Sequence, residues 1–337
     1  MADRIRWGIL GTGNIANKFA IGLSEIPDDA ELVAVGSRKL QTAEAFAAKH
    51  GGPRAYGSYE QLVGDPGVDA VYVSTPHPFH EANSLLALEA GKHVLCEKPF
   101  ALNAAQARRV VDAAADRGLF VMEAMWMRFL PAMEALRELV AAGGLGEPRM
   151  LYADFGFRAG WKPEGRLLNP ALGGGGLLDV GVYPVSLASM LFGAPAAICS
   201  NAQIGSTGVD EQACIVLGYG GGQIAMLSCA IRTTSPHEAT VMGADAWARL
   251  HTPWWQGRDI TVHKGNDART IACSTTGQGL RYEAMEVTRC LRAGRTSSEV
   301  MPPEETIQVM ETLDAIRAQW GLRYPGEAGG AGAAEGD

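Results

Sequence analysis

Along the first 125 residues, apolar positions come in short unbroken runs that alternate with stretches of three-to-four spacing. IRWGIL (5–10) is followed by NIANKFAIGLSEI (14–26), and ELVAVGS (31–37) by LQTAEAFAAKHG. AYGSYEQLV leads into the Val-rich VDAVYVSTP (68–76), which is followed by HEANSLLALEAG. HVLCEKP, NAAQARRVVDAAADRG with Asn at its N-cap, and LFVMEAM (119–125) complete the series. The short apolar runs read as buried strands and the periodic stretches, several stopped by glycine, as helices. Their alternation predicts a mostly parallel sheet covered on both faces, with LFVMEAM as its sixth strand.

The pattern changes after Trp126. One helix (PAMEALRELVAAGGLG) precedes longer strand-like runs: PRMLYADFGF, AAICSNAQIG, EQACIVLGYG, GQIAMLSCAI, EATVMGADAWARL and DITVHKG. Strands that follow one another without helices between them, with GYGGGQ as a hairpin connection, predict an antiparallel sheet. LLDVGVYPVSLASMLFG (177–193), GLRYEAMEVTRCLRAG and PPEETIQVMETLDAIRAQWG read as helices. The fold class is therefore α/β. A Rossmann-type dinucleotide-binding domain spans 1–125, and an α/β domain with an open, largely antiparallel sheet spans 126–325. The low-complexity end, 326–337, is expected to be disordered.

Composition narrows the function. At 337 residues and 47% hydrophobic the chain suits two globular domains. Its net charge of −8, with no basic run, gives no attraction to phosphate backbones, so nucleic acid is not an expected partner. No apolar run reaches the length of a membrane span, and the N-terminus has no signal-peptide pattern, so the expected location is cytoplasmic with no membrane partner. The six cysteines show no C-x-x-C pair and read as reduced core residues, with no metal site expected.

Two segments carry chemistry. GILGTGNIANKF holds Gly11-x-Gly13-x-x-Ala16 between the first strand and the first helix. The glycines allow a tight turn and let the backbone approach a pyrophosphate at the positive end of the helix. The second strand ends VGSRKL, with Ser37 and Arg38 where an NAD site usually has an acid. An acid would repel a 2′-phosphate, whereas a hydroxyl and a forked guanidinium hold it, so NADP is the expected cofactor, with NAD as the alternative.

The other segment pair is chemical. VLCEKPF begins as a buried strand and ends on Glu97, Lys98 and Pro99, delivering a lysine to the open edge of the sheet where ligands bind. In GGGGLLDVGVYPV (173–185), Asp179 and Tyr183 are four apart and share one face if the segment is helical. A nearby ammonium favours a phenolate, so Lys98 is expected to lower the Tyr183 pKa and let it exchange a proton with substrate.

The Gly-x-Gly-x-x-Ala turn, the EKP strand end and the GGG-x-LLD-x-G-x-Y segment together resemble the glucose–fructose oxidoreductase and inositol dehydrogenase (Gfo/Idh/MocA) family. AYGSYEQL, FVMEAMWMRFLPA and MPPEETIQVMETLDAIR extend the likeness over nearly the whole chain. Many members have His at the position of Tyr183, and the tyrosine favours the dihydrodiol and glucose–fructose branches over the inositol type. The resemblance implies an NADP-dependent oxidoreductase acting on a cyclic polyol, an aldose or a trans-dihydrodiol. It implies Tyr183 as proton donor or acceptor, assisted by Lys98 and supported by Asp179. Tyr72, Thr75, His80 and Glu97 join the cofactor set, and Trp126, Phe155 and Trp255 wall the substrate pocket. It also implies a final helix (303–321) packed back on the first domain, and a homodimer or homotetramer joined through the exposed sheet. A non-catalytic NADP(H)-sensing regulator and a redox-cycling glycosidase of the same fold are the competing readings.

Overall fold

The computed structural model describes residues 4–327. Six strands form the first sheet: β1 (Ile5–Leu10), β2 (Ala30–Gly36), β3 (Arg54–Tyr56), β4 (Ala70–Val73), β5 (His93–Glu97) and β6 (Val121–Ala124). Their order is β3-β2-β1-β4-β5-β6, all parallel. The helices between them are α1 (Asn14–Ser24), α2 (Leu40–Ala47), α3 (Tyr59–Val63), α4 (His80–Glu89) and α5 (Ala104–Asp116). Because they cover both faces, the central strands can be apolar throughout: all four residues of β4 are buried. The strand order reverses between β1 and β4. At such a switch point the outgoing loops diverge and leave a crevice at the carboxyl ends of the strands.

After α6 (Pro131–Ala141) the chain builds an eight-stranded sheet from β7 (Pro148–Gly156), β8 (Ala197–Ile204), β9 (Asp210–Gly218), β10 (Ile224–Ala230), β11 (Ala239–Gly243), β12 (Trp247–Leu250), β13 (Ile260–Lys264) and β14 (Asp267–Ile271). The order is β14-β13-β12-β11-β7-β10-β9-β8, antiparallel except for the parallel pair β7–β10. The run EATVMGADAWARL is two strands, not one: Gly243 and Ala246 close a hairpin between β11 and β12. β14 is exposed over most of its length and so lacks the apolar signal of a strand. One face of this sheet packs on α7 (Val182–Phe192), whereas Tyr152, Val216, Ile224 and Trp247 stand exposed. Pro170–Phe192 is long and apolar enough to cross a membrane, but 83% of its most apolar window is buried inside the fold, as in a core helix.

The last two helices return to the first domain. α8 (Arg281–Arg292) packs on α1 and β2, and α9 (Pro303–Ala318) packs on α5, α7 and β6. Of the tail expected to be disordered, 328–337 lie outside the described residues. Glu327 is fixed, its carboxylate bonded to Arg317 at 2.6 Å and to Asn103 at 2.8 Å. Four cysteines are buried, but Cys199 and Cys214 are exposed on β8 and β9, because they fall on the open face of the second sheet.

Candidate active site

A cleft of about 530 Å³ opens at the switch point. At one end stands the turn after β1. Gly11 has φ +103°, and a Cβ there would press on the Ser74 carbonyl at 3.0 Å. Gly13 is different. Its φ is −74°, and a Cβ would meet nothing within 4 Å. No internal contact requires glycine at this position; a side chain would only fill the cleft, where a ligand's backbone approach needs the space. Gly13 is also the N-cap of α1, with no side-chain cap and no acid in the first turn. The uncapped N–H donors and the positive helix end therefore serve the cleft. Ala16 is fully buried beneath the turn, where a small residue lets helix and strand approach.

Ser37, Arg38, Lys18 and Tyr59 line the same end. Arg38 is exposed and lies close enough to Tyr59 for its charge to act on the phenol. Among the described residues the lining carboxylates are Glu97 and Asp179, both at the far end. This donor-rich, acid-free end fits the phosphates of a dinucleotide.

At the far end, Lys98 Nζ donates to the Asp179 carbonyl at 2.7 Å and lies 4.0 Å from its Oδ1. Arg166 Nη1 pairs with the same Oδ1 at 2.5 Å. Asp179 lies in a π-helical turn (Leu177–Gly181) that runs into α7, which carries Tyr183. Burial acts to raise the Asp179 carboxyl, but Lys98 and Arg166 outweigh it and hold it below its usual value. Asp179 and Tyr183 do face Lys98 together, the ammonium standing 4.8 Å from the centre of the tyrosine ring.

The expected effect of that ammonium on Tyr183 does not hold. Burial, and then the charge of Glu97, push the phenol above its ordinary range. Lys98 lies over the ring face and donates to the Asp179 carbonyl, whereas it is Trp126 Nε1 that donates to the Tyr183 oxygen, at 2.9 Å. Tyr183 is therefore a neutral phenol whose own hydrogen is free for a ligand.

The other expected residues divide between the cleft wall and the layer behind it. Thr75, His80 and Glu97 line the cleft. His80 Nε2 lies 2.7 Å from the Thr75 carbonyl and Nδ1 2.8 Å from the Pro99 carbonyl, tying the end of β4 to the turn after β5. Burial pushes His80 down to about 4 and His77 to about 3. Tyr72 is not on the wall: it is fully buried, stacks on Phe19, and reaches the site only by donating to Glu97. Phe155 stacks on Trp255 with centroids 3.4 Å apart and lies 5.3 Å from the Tyr183 ring.

Sequence reasoning missed Arg166, Lys18, Tyr59 and His237. Arg166 sits in irregular chain before the π-helical turn, where no periodicity marks it. Lys18 was accessible to reasoning, since it lies one helical turn beyond Asn14 and so shares its face. His237 packs on Trp255 at 4.7 Å and is, among the described residues, the non-glycine residue with positive φ, +64°. Among the described residues no three His, Cys, Asp or Glu side chains come together as a metal site.

Residues 5–125 match the model of an oxidoreductase family with an NAD-binding Rossmann fold, and residues 133–249 match the GFO/IDH/MocA C-terminal domain. Trans-1,2-dihydrobenzene-1,2-diol dehydrogenase of Mus musculus is 41% identical over 95% of this chain and 98% of its own. The Homo sapiens protein of that name is 39% identical with the same coverage. Among solved structures, an aldose–aldose oxidoreductase from Caulobacter crescentus complexed with glycerol superposes with a TM-score of 0.86 at 26% identity, covering 95% of this chain and 99% of its own. A 3-ketoreductase from Actinomadura kijaniata in complex with NADP and TDP-benzene gives 0.83 at 25%, covering 94% and 98%. The chain belongs to the GFO/IDH/MocA oxidoreductase family.

Proposed function

We propose that the protein is an NADP-dependent oxidoreductase that moves hydride between nicotinamide and a carbinol or carbonyl carbon of a cyclic polyol, an aldose or a trans-dihydrodiol. One observation carries this reading: a single cleft runs from the glycine turn and Arg38 to Lys98, Asp179 and Tyr183. NADP, when bound, supplies or accepts the hydride. The backbone donors at Gly13 and the start of α1 hold its pyrophosphate, and Ser37 and Arg38 hold the 2′-phosphate. Tyr183 donates its phenolic proton to the substrate oxygen in reduction and takes it back in oxidation. Trp126 stabilises the resulting phenolate by its hydrogen bond, and Lys98 by its charge. Asp179, shared by Lys98 and Arg166, fixes the lysine. Phe155 and Trp255 offer an apolar surface to a ring.

The exposed apolar face of the second sheet, with Tyr152, Val216, Ile224 and Trp247, supports self-association into a homodimer or homotetramer. The family reading and the reduced cysteines support a cytoplasmic location.

The deciding experiment follows NADPH absorbance while purified protein meets NADP or NAD with a panel of aldoses, polyols and trans-dihydrodiols. NADPH formation with one substrate class is expected. Tight NADP binding without turnover in either direction on any of them would support the sensor instead, and glycoside release without net NADPH would support the glycosidase.

A further inference from the structure

Three glutamates are buried at the chemical end of the cleft: Glu97 on its wall, and Glu123 and Glu283. Two are partnered. Tyr72 donates to Glu97 Oε1, and the Lys98 backbone N–H donates to its Oε2 at 3.2 Å. Glu123 Oε1 accepts from the Phe100 backbone at 3.1 Å, while its Oε2 has no partner among the described residues. Glu283, in the first turn of α8, is fully buried, and neither of its oxygens has a hydrogen-bond partner among the described residues.

What surrounds Glu283 makes ionisation costly. The charge of Glu97, at the end of β5, acts on it, and Glu283 in turn acts on Tyr72 of β4 and Tyr183 of α7. The charged groups of the other elements packed on α8 are engaged elsewhere. Glu25 of α1 pairs with Arg281 at 3.7 Å, Arg128 of the Trp126–Phe129 turn with Glu305 at 2.6 Å, and Glu31 of β2 with Arg4 at 3.1 Å. Lys18 of α1 opens onto the cleft. A buried carboxylate with no donor, whose charged neighbour is another carboxylate, is stable only as the neutral acid. Two acids so coupled titrate as a pair.

We propose that, of the pair Glu97 and Glu283, Glu283, which no donor reaches, is a carboxylic acid at neutral pH, whereas Glu97, which accepts from Tyr72 and from the Lys98 backbone N–H, is the carboxylate. With Glu283 neutral, the negative charge of the two beside Tyr183 is one unit, that of Glu97. Burial and the Glu97 charge both push the Glu283 carboxyl well above its usual range. A second charge there would hold the Tyr183 proton more tightly, since both glutamates act on that phenol in the same direction. The effect on Tyr183 rests on the proton-transfer role proposed above; the proton on Glu283 does not.

Infrared spectroscopy of the full-length protein, free of cofactor, tests the pair directly. Spectra are taken at alkaline pH, above the titration of Glu123 and Asp210, both pushed up to about 7. The wild type is expected to show the C=O stretch of a protonated carboxylic acid, lost in Glu283→Gln. In Glu97→Gln the band should titrate at lower pH, because the neighbouring charge is gone. Absence of the band in the wild type, which needs no variant, overturns the proposal, and so does its persistence in Glu283→Gln. The pH profile of turnover gives the functional arm. Glu97→Gln should move the alkaline limb down by about one pH unit, whereas Glu283→Gln should leave the limb in place, because it replaces one neutral group by another. An equal shift in both variants would mean that Glu283 is charged and would also overturn the proposal. A turnover screen that fails while the infrared band is present counts against the enzyme reading and leaves the acid pair standing.

Discussion

The two ends of the cleft are built from different materials. The cofactor end is mostly backbone: a turn of two glycines, an uncapped helix start and the end of the next strand, all within residues 11–38. The chemical end is side chains drawn from positions 98, 126, 166, 179 and 183, interlocked by hydrogen bonds, with Asp179 and Tyr183 buried and Arg166 exposed. At the first, Gly13 and Arg38 can be altered without disturbing the fold. In the second, nearly every group also holds another in place.

The sharpest way to break this contrast is Tyr183→Phe. Removing the hydroxyl proposed to exchange a proton should lower turnover by about 10²–10⁴-fold while NADP affinity, measured by fluorescence titration, stays within about twofold, since the glycine turn is untouched. Equal loss of binding and turnover would mean that the ends are not separable. Next in size is Arg38→Ala. Loss of a charged phosphate contact should weaken NADP by about 10–100-fold, on the scale of 1.5–3 kcal/mol, and leave NAD unchanged, as paired titrations would reveal. Gly13→Ala sharpens the comparison further. Its Cβ meets no protein atom, so thermal stability should change by less than about 0.5 kcal/mol, yet cofactor affinity should fall by about tenfold as the methyl enters the cleft.

The smallest effect is one of pH on stability. His77 and His80 are held neutral by burial, with folded values of about 3 and about 4, below the roughly 6.5 of an unfolded histidine. The unfolded chain therefore binds these protons first. Their contribution is fully present above about 6.5 and declines as pH falls toward about 4 for His80 and about 3 for His77. Melting temperatures across that range should fall in the wild type and fall less steeply in His80→Gln.

The contrast between the ends also explains what could be read from sequence. Gly11, Gly13 and Arg38 were legible because their meaning is local: a strand, a turn and a helix start are contiguous in the chain. The parallel sheet was legible for the same reason, since strand and helix alternate in period. Lys98, Asp179 and Tyr183 were legible as residue types, but the direction of the Tyr183 shift was not. It depends on Glu97 and on depth of burial, neither of which the spacing of Asp179 and Tyr183 encodes. Arg166 and His237 lie in irregular chain, and Glu283 lies on a helix whose partner, α1, is more than 250 residues away. The hairpin inside EATVMGADAWARL carried a signal in Gly243 and Asp245, both turn-favouring residues, but the apolar runs on either side masked it.

The return of the last two helices has a consequence for how the molecule is made. The amide of Ala104, at the start of α5, bonds to the Asp314 carboxylate at 2.8 Å, and α1 lies against α8. On the ribosome, where synthesis proceeds at about 5–20 residues per second, the complete first sheet emerges well before either helix that covers it. For that interval the nascent domain exposes apolar surface that only the end of the chain can bury. A transcript truncated before α9 should therefore yield a chaperone client, not a free-standing cofactor-binding domain.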